Sequence, residues 1–459
     1  MKRATKILII SFLLLTYVNM LILYSFNLDQ YFMIAGGNDI LNGYLTYNTH
    51  LHINYVQQQW LYSLIFALVD NIFGNIGILA FTAIQDAILW YLSFIFLKKK
   101  LKSNFWSTII PIIFMILNFF YIINNRPQTI TLICLLGEIL ILEKYKETKN
   151  WKFLFSLIPV LILLANVHQS VYLYCGIIAM PYMLEGKKLD WKVIFSGILM
   201  LPISLCTPYG INGALYIFRA IINGQKLIKI AEMQPLSSNI ELFIYICIAI
   251  ITIVILNYFK KSNKFINFYM LLTIFMTILT IRSIMIIYIP LLFIARQINF
   301  SILSNIKVFK ESLITTIILS IFTIFFIYNA PKLIYMPINL EIDFINHYNE
   351  LNISKTAYIY NVPDCGSLLE YYDYNIFLDT RPDAYDYINM QRFNIYNMID
   401  AGVDENGYIS DEDVLKEAAK FEYLITYNNS KISKIYKNMK HEPLYTNNKY
   451  SIYKSILPL

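Results

Sequence analysis

Charged residues are scarce in this 459-residue chain. Asp, Glu, Lys and Arg make up 15% of it, whereas hydrophobic residues make up 57% and the mean hydropathy is +0.52. Soluble globular domains carry about 25% charged residues. The composition therefore excludes an ordinary soluble globule, and the length excludes a protein with one membrane span. We predict a mainly α-helical protein of the cell membrane that crosses the bilayer many times.

Cysteine is also scarce, and its placement excludes a disulfide framework. Four of the five cysteines lie inside apolar segments, at positions 134, 175, 206 and 247, and only Cys365 lies in the more polar C-terminal part. Chains that depend on disulfides place an even number of cysteines at close spacing in a short secreted sequence. This chain does not have that pattern.

Several catalytic motifs are absent from the sequence. It has no phosphate-binding loop, dinucleotide fingerprint, G-x-S-x-G elbow or H-E-x-x-H pattern, so a nucleotide-driven or serine-hydrolase mechanism lacks support. His50 and His52 are two residues apart, and no third ligand follows at zinc spacing. We therefore expect no metal and no other cofactor.

Long apolar runs are what the sequence has in abundance. Runs of near-membrane length predict a polytopic transmembrane helix bundle of about 11 spans. The first run follows Lys2 and Arg3 without a cleavage site, which predicts a signal anchor with a cytoplasmic N-terminus. The predicted spans are Lys6–Phe26, Ile76–Leu97, Phe105–Ile123, Thr129–Glu143, Phe153–Val167, Val171–Leu184, Val193–Cys206, Ile240–Tyr258, Phe265–Ile281, Ile284–Ala295 and Ser312–Tyr328.

Basic residues cluster between these runs, which accounts for the net charge of +7 without nucleic acid. Such clusters are typical of cytoplasmic loops, and an odd span count then places the C-terminus outside. The segment Trp60–Phe73 is predicted to lie in the membrane interface, because counting it as a span would reverse this sidedness. The clusters are Lys98–Lys102, Lys144–Lys152, Lys187–Lys192, Lys260–Lys264 and Arg296–Lys310.

The composition predicts two domains. Residues 1–336 form the transmembrane domain, with a first external loop at 27–74, and residues 337–459 form a small extracytoplasmic α/β domain. Alternating β-branched and aromatic residues predict strands. The predicted elements are strands at Ala357–Val362, Ile376–Asp379 and Tyr423–Tyr427, a helix at Asp411–Phe421 and a hairpin at Pro443–Lys454.

Polar residues collect on the predicted outer face. Asp29 follows the first span, where its carboxylate could accept a proton from a hydroxyl. Arg126, Arg219 and Arg282 fall at or near external span ends, where cations could bind a lipid phosphate. Alternatively, Asp29 marks only the end of a span and the arginines are membrane-border anchors. The pair Asn166 and His168 also fits a structural role in a turn.

Short motifs along the chain resemble the GT-C superfamily of integral-membrane glycosyltransferases, in its protein-mannosyltransferase and aminoarabinose-transferase branch. The order of the motifs carries the resemblance. They are Asp29–Gly36, Asp39–Gly43, Gln59–Leu61, Arg126–Gln128, Asn166–His168, Pro208–Gly210, Glu232–Pro235, Arg282, Cys365–Leu368 and Phe377–Tyr385.

The resemblance implies transfer of a sugar from a polyprenyl-phosphate donor to a cell-envelope acceptor on the outer face. Asp29 would be the catalytic base, and Arg126, Arg219 and Arg282 would bind the donor phosphate. The implied partners are the lipid-linked sugar and membrane lipids. Substrate-binding residues would be Asp39, Gln59, Trp60, Asn166, His168, Tyr209, Glu232 and Gln234.

Two alternatives stay open. A surface-polysaccharide polymerase would also use external arginines, although it would concentrate them in a large mid-chain loop. A non-catalytic membrane component or transporter of the same fold is favoured by Met33 and Gln59. Members of the family often have His and Glu at these two positions.

Overall fold

The computed structural model describes residues 29–101, 103–117, 126–185, 188–216, 264–279, 281–297, 344–381, 390–404 and 407–456, and isolated positions between 9 and 17. The chain divides into two compact units. Unit 1 contains Met1–Ser25 and Phe73–Ile327, and unit 2 contains Phe26–Ile72 and Tyr328–Leu459. The segment predicted as the first external loop thus belongs to the same unit as the C-terminal part.

Helices make up most of the described residues. They are α1 (Asp29–Leu41), α2 (Trp60–Leu101), α3 (Asn104–Leu117), α4 (Gln128–Thr148), α5 (Leu157–Val167), α6 (Leu173–Ala179), α7 (Trp191–Ile203), α8 (Gly210–Ala214), α9 (Lys264–Leu279), α10 (Tyr288–Ala295), α11 (Pro363–Tyr371), α12 (Met390–Ala401), α13 (Asp411–Ala418) and α14 (Lys431–Asn438). Short 3-10 helices lie at Trp151–Ser156, Gln169–Val171, Met180–Tyr182 and Ile281–Ile287, and residues 344–350 are helical.

The strands are short. They are β1 (Tyr47–Asn48), β2 (Ile53–Asn54), β3 (Leu184–Glu185), β4 (Lys188–Leu189), β5 (Ile359–Asn361), β6 (Val403–Asp404), β7 (Gly407–Tyr408), β8 (Tyr423–Tyr427), β9 (Tyr445–Thr446) and β10 (Tyr450–Lys454). Six of them form three two-stranded hairpins, β1-β2, β3-β4 and β6-β7. The other four form one sheet in the order β5-β8-β10-β9.

The prediction of a polytopic bundle of about 11 spans is wrong. Within the described ranges, α2 is the one helix long and apolar enough to cross a membrane. At six other predicted positions, the described residues form α3, α5, α6, α7, α9 and α10, which have 7 to 16 residues. A span needs roughly 20. Sequence composition locates apolar runs, but within the described ranges these runs form short α and 3-10 helices.

The four remaining predicted spans do not add to this count. Thr129–Glu143 lies in α4, which has 21 residues but ends in a charged segment containing Glu143, Lys144 and Lys146. Ile240–Tyr258 and Ser312–Tyr328 lie outside the described residues, as does most of Lys6–Phe26.

Helix α2 is interrupted at Gly74. This residue has φ 58° and ψ −152°, which is not helical and which glycine adopts at little cost because it has no Cβ. The break coincides with the sequence boundary drawn between Trp60–Phe73 and the apolar run from Ile76. It also falls next to the border between the two units.

Unit 2 is built around the four-stranded sheet. Strand β5 runs parallel to β8, whereas β10 pairs antiparallel with both β8 and β9. The strand predicted at Tyr423–Tyr427 is confirmed residue for residue. The hairpin predicted within Pro443–Lys454 is also confirmed, with β9 and β10 as its strands. The side chain of Asn447 closes that hairpin by accepting hydrogen bonds from the N–H groups of Lys449 and Tyr450, each 2.8 Å long.

The hairpin β1-β2 belongs to the core of this sheet domain. Leu51 and Ile53 are buried in the same apolar cluster as the strands. The backbone carbonyl of Leu51 accepts a hydrogen bond from the Arg392 guanidinium at 2.7 Å, and the carbonyl of His50 accepts one from the N–H of Ile376 at 3.1 Å. Burying two such side chains stabilises the unit by about 1.5 to 3 kcal/mol each.

Candidate functional site

Asp29 lies in the first turn of α1, where a carboxylate is favoured by the partial positive charge of the helix N-terminus. Its side chain is buried, and Oδ1 accepts a hydrogen bond of 2.8 Å from the Thr380 hydroxyl. The Thr380 oxygen lies 3.1 Å from the Ser367 hydroxyl on α11. Because Thr380 has one hydroxyl proton and donates it to Asp29, Ser367 is the donor in that second bond.

The residue after Thr380 is the centre of a buried charge cluster. Arg381 donates from Nε to Asp379 at 2.6 Å, from Nη1 to the Tyr55 hydroxyl at 2.9 Å, and from Nη2 to both oxygens of Glu370 at 2.7 Å. Its guanidinium carbon also lies 5.1 Å from the centre of the Phe32 ring on α1. All three guanidinium nitrogens have protein partners, so Arg381 is not placed to bind a phosphate.

Two carboxylates in this cluster share one guanidinium. The side chains of Glu370 and Asp379 have no exposed surface, and that of Arg381 is 3% exposed. Burial raises the pKa of Glu370 to about 7; Arg381 opposes this rise, while the charge of Asp379 adds to it. The Asn48 amide donates a hydrogen bond of 2.6 Å to Glu370. The cluster therefore ties the β1-β2 hairpin to α11.

The loop that carries Thr380 is fixed by the side chain of Asn361. Its Oδ1 accepts from the N–H of Phe377 at 2.7 Å, and its Nδ2 donates to the carbonyl of Leu378 at 2.6 Å. These bonds take the place of a sheet ladder, and the strand predicted at Ile376–Asp379 is therefore wrong. Gly366 on α11 packs against the same carbonyl, so closely that a Cβ there would collide with it.

Asp39, predicted to bind substrate, faces the β1-β2 turn. Its Oδ2 accepts a hydrogen bond of 3.2 Å from the N–H of Thr49. Burial raises the pKa of Asp39, which the bonds to Thr49 partly offset, and burial lowers the pKa of the neighbouring His50. Gln59 is buried just before α2, and Trp60 begins that helix and donates its N–H to the carbonyl of Gln57 at 3.0 Å.

Unit 1 contains the predicted pair Asn166 and His168, at the end of α5. The Asn166 amide donates to the carbonyls of Ile162 at 2.8 Å and Cys206 at 2.9 Å. The buried His168 ring is 2.7 Å from the Thr131 hydroxyl on α4. These contacts join α5 to neighbouring segments, as the structural alternative for this pair expects. Their assignment to substrate binding stays a prediction.

The remaining predicted site residues are described by their positions in the fold. Arg126 lies just before α4, and Tyr209 is buried at the start of α8. The backbone of Arg282 lies in a 3-10 helix, and its side chain is outside the described part of the structure. Arg219, Glu232 and Gln234 are also outside it. The phosphate-binding role of the three arginines therefore stays a prediction.

The sequence prediction does not include Thr380, which holds Asp29, or the neighbouring cluster residues Arg381 and Glu370. Thr380 and Arg381 nevertheless lie within the motif Phe377–Tyr385. The available signal was the run Asp-Thr-Arg directly after apolar residues, where a charged pair is unusual. In the described residues, no group of three or more His, Cys, Asp or Glu side chains is arranged to bind a metal.

Comparison with known proteins does not assign the chain to a family. No protein-family model matches it, and no curated protein matches it. The resemblance to GT-C glycosyltransferases therefore rests on the motifs alone and stays a prediction.

Proposed function

We propose that this protein is a glycosyltransferase that uses a polyprenyl-phosphate sugar and takes Asp29 as its catalytic base. The observation that carries the proposal is the hydrogen bond between Asp29 and Thr380, which joins two segments 351 residues apart. A base must be held in position relative to the proton it accepts. The chain of hydroxyls from Ser367 through Thr380 restricts the orientation of this carboxylate.

The proposed reaction is a single displacement. Asp29 accepts the proton of an acceptor hydroxyl, and the hydroxyl oxygen forms a bond to the anomeric carbon of the sugar. The bond from that carbon to the lipid-phosphate oxygen breaks, and the phosphate leaves with the electron pair. The configuration of the anomeric carbon is inverted. This chemistry requires access to a lipid-linked donor and does not require many membrane spans.

The test is transfer by the full-length protein with labelled polyprenyl-phosphate sugars. Loss of a positioned general base lowers kcat by about 10²- to 10⁴-fold, and we expect a loss in this range for Asp29→Asn. Asp373→Asn is the matched control, because this carboxylate is 72% exposed and pairs with Lys355 at the surface. Unchanged transfer by Asp29→Asn would remove Asp29 from the mechanism.

A second candidate is a component that binds a lipid-linked sugar without turning it over. Arg381 favours this candidate. It is the cation nearest in sequence to Thr380, and all of its nitrogens are bound to protein groups. Met33 and Gln59 also lack the ionisable groups that related enzymes often have there. Saturable binding of the labelled donor by wild type, with no transfer to any acceptor, would support this candidate over the enzyme.

A further inference from the structure

Basic helix ends meet at one end of unit 1. Lys99, near the end of α2, lies 3.7 Å from Glu143 of α4, and Arg296, which follows α10, also pairs with Glu143. Lys146 of α4 lies 2.8 Å from Asp190, the residue that caps α7. The ends of α2, α4 and α10 and the start of α7 are therefore neighbours.

Large aromatic side chains are exposed at the same end. Trp151 and Phe155 lie in the 3-10 helix after α4, with ring centres 5.0 Å apart, and they are 51% and 50% exposed. Trp191 opens α7 and is 70% exposed. Single exposed apolar residues are ordinary, but a group of them rimmed by polar residues marks an interaction surface.

Exposed lysines alternate with these aromatic rings in the sequence. We name the basic aromatic rim as Trp151, Lys152, Phe155, Lys188, Trp191 and Lys192, all of which are exposed. An apolar stripe leads away from the rim along α7. Phe195, Ile198 and Leu201 are 61%, 55% and 68% exposed, and their spacing places them on the face of the helix that begins with Trp191.

We propose that the basic aromatic rim binds the headgroup layer of a membrane that contains anionic phospholipid. Lysine ammonium groups would pair with lipid phosphates, the indole rings would lie at the border of the hydrocarbon, and the α7 stripe would contact acyl chains. Tryptophan and lysine are both enriched at membrane borders. Protein interfaces are instead depleted of lysine, so this surface fits a lipid layer better than a protein partner.

The end of α2 supports the same occupant. This is the described helix that is long and apolar enough to span a membrane, and its last turn contains Lys98, Lys99 and Lys100. Lys99 contacts α4 beside the rim. A helix that enters a bilayer would therefore leave it at the level where the rim meets the headgroups. The proposal concerns unit 1 alone and does not depend on the chemistry of Asp29.

The test uses the full-length protein reconstituted in mixtures of phosphatidylglycerol and phosphatidylcholine, with brominated acyl chains on one lipid at a time. Bromine quenches the fluorescence of tryptophans that it contacts, so the two titrations give the preference for one lipid over the other. Each lysine near an anionic membrane surface raises the association constant by about fivefold. We expect wild type to prefer phosphatidylglycerol by about fivefold or more.

Two sets of variants locate this preference. Replacing Lys152, Lys188 and Lys192 together by Gln should bring the ratio of phosphatidylglycerol to phosphatidylcholine binding close to one. Replacing both Trp151 and Trp191 by Phe should abolish the additional quenching that brominated phosphatidylglycerol causes. The matched control replaces three exposed lysines of unit 2, Lys434, Lys437 and Lys440, by Gln and should keep the wild-type preference.

Salt gives a test that needs no variant. Because the Debye length falls from about 10 Å at 0.1 M to about 3 Å at 1 M salt, the wild-type preference should fall as salt is raised. Three results would overturn the proposal: equal quenching by both lipids in wild type, an unchanged preference in the rim lysine variant, or rim tryptophans that neither lipid quenches. The last result would indicate that this surface binds a protein partner and not lipid.

Discussion

Glu370→Gln should remove a pH dependence from the stability of unit 2. Glu370 has a pKa of about 7 in the folded protein, compared with 4.5 for an ordinary Glu, chiefly because it is buried. Between these two values the folded state binds more protons than the unfolded state, so its free energy of unfolding falls as the pH rises. The stabilisation is fully present below pH 4.5 and is lost as the pH rises through 7.

The size of the effect follows from the difference in pKa. Each unit is worth about 1.4 kcal/mol, so the full shift corresponds to about 3 kcal/mol, of which about 2 to 3 kcal/mol falls between pH 5 and pH 8. The change between pH 5 and pH 8 corresponds to roughly fiftyfold in the opening equilibrium of the unit.

Cys365 provides the assay, because it is fully buried in the core of unit 2. The rate at which a thiol reagent labels Cys365 in the full-length protein, followed by peptide mass spectrometry, reports how often the unit opens. The labelling rate for Glu370→Gln is divided by the wild-type rate at each pH. This ratio cancels the effect of Cys365 ionisation on the labelling rate. It also cancels the titration of His50, which acts in the opposite direction because its pKa is lowered by burial.

We expect this ratio to fall as the pH is raised from 5 to 8, because the wild type loses stability and the variant does not. Glu350→Gln is the matched control: Glu350 is exposed on the helix at residues 344–350, and the variant should keep the wild-type dependence on pH. A ratio for Glu370→Gln that stays constant over this range would refute the assignment of the raised pKa to Glu370.

Three more predictions concern the loop that holds the candidate base. Thr380→Val should lower kcat for sugar transfer by about tenfold to a hundredfold with KM unchanged, since Asp29 stays in place as the base but loses its orientation. Thr380→Ser should restore activity. Equal activity in both variants would exclude positioning of Asp29 by the Thr380 hydroxyl. Arg381→Met should destabilise unit 2 by about 3 to 5 kcal/mol, because two buried carboxylates lose their cation; an unchanged labelling rate of Cys365 would contradict this. Gly366→Ala should also speed that labelling, because its Cβ would collide with a backbone carbonyl, whereas Gly137→Ala on α4 has open space and serves as the control.

Local patterns in the sequence predicted the sheet elements well. The strand Tyr423–Tyr427 pairs along its whole length with β10, and its alternating β-branched and aromatic residues indicate this without tertiary information. The neighbouring segment Ile376–Asp379 has a similar composition but is not a strand, because the Asn361 side chain occupies its backbone groups. Composition does not show which backbone groups a distant side chain will bind.

The apolar runs gave a wrong architecture for a related reason. Hydropathy measures how apolar a segment is, and not where a helix begins and ends. The 3-10 helix Trp151–Ser156 overlaps the start of the predicted span Phe153–Val167, and the 3-10 helix Met180–Tyr182 follows α6 within the predicted span Val171–Leu184. A change from α to 3-10 geometry leaves no mark on an average over about 20 residues.

The contact between Asp29 and Thr380 could not be predicted from sequence, but the cluster beside it explains why the contact is specific. A buried ion cluster is weak evidence of stability, since apolar residues of similar size are often as stabilising. Arg381 instead restricts the register of the loop, because each of its nitrogens has an assigned partner in Asp379, Tyr55 or Glu370. A shift of one residue would leave buried carboxylates without a cation and would move the Thr380 hydroxyl away from Asp29. We infer that the main role of the cluster is to align Asp29, and that its contribution to stability is smaller.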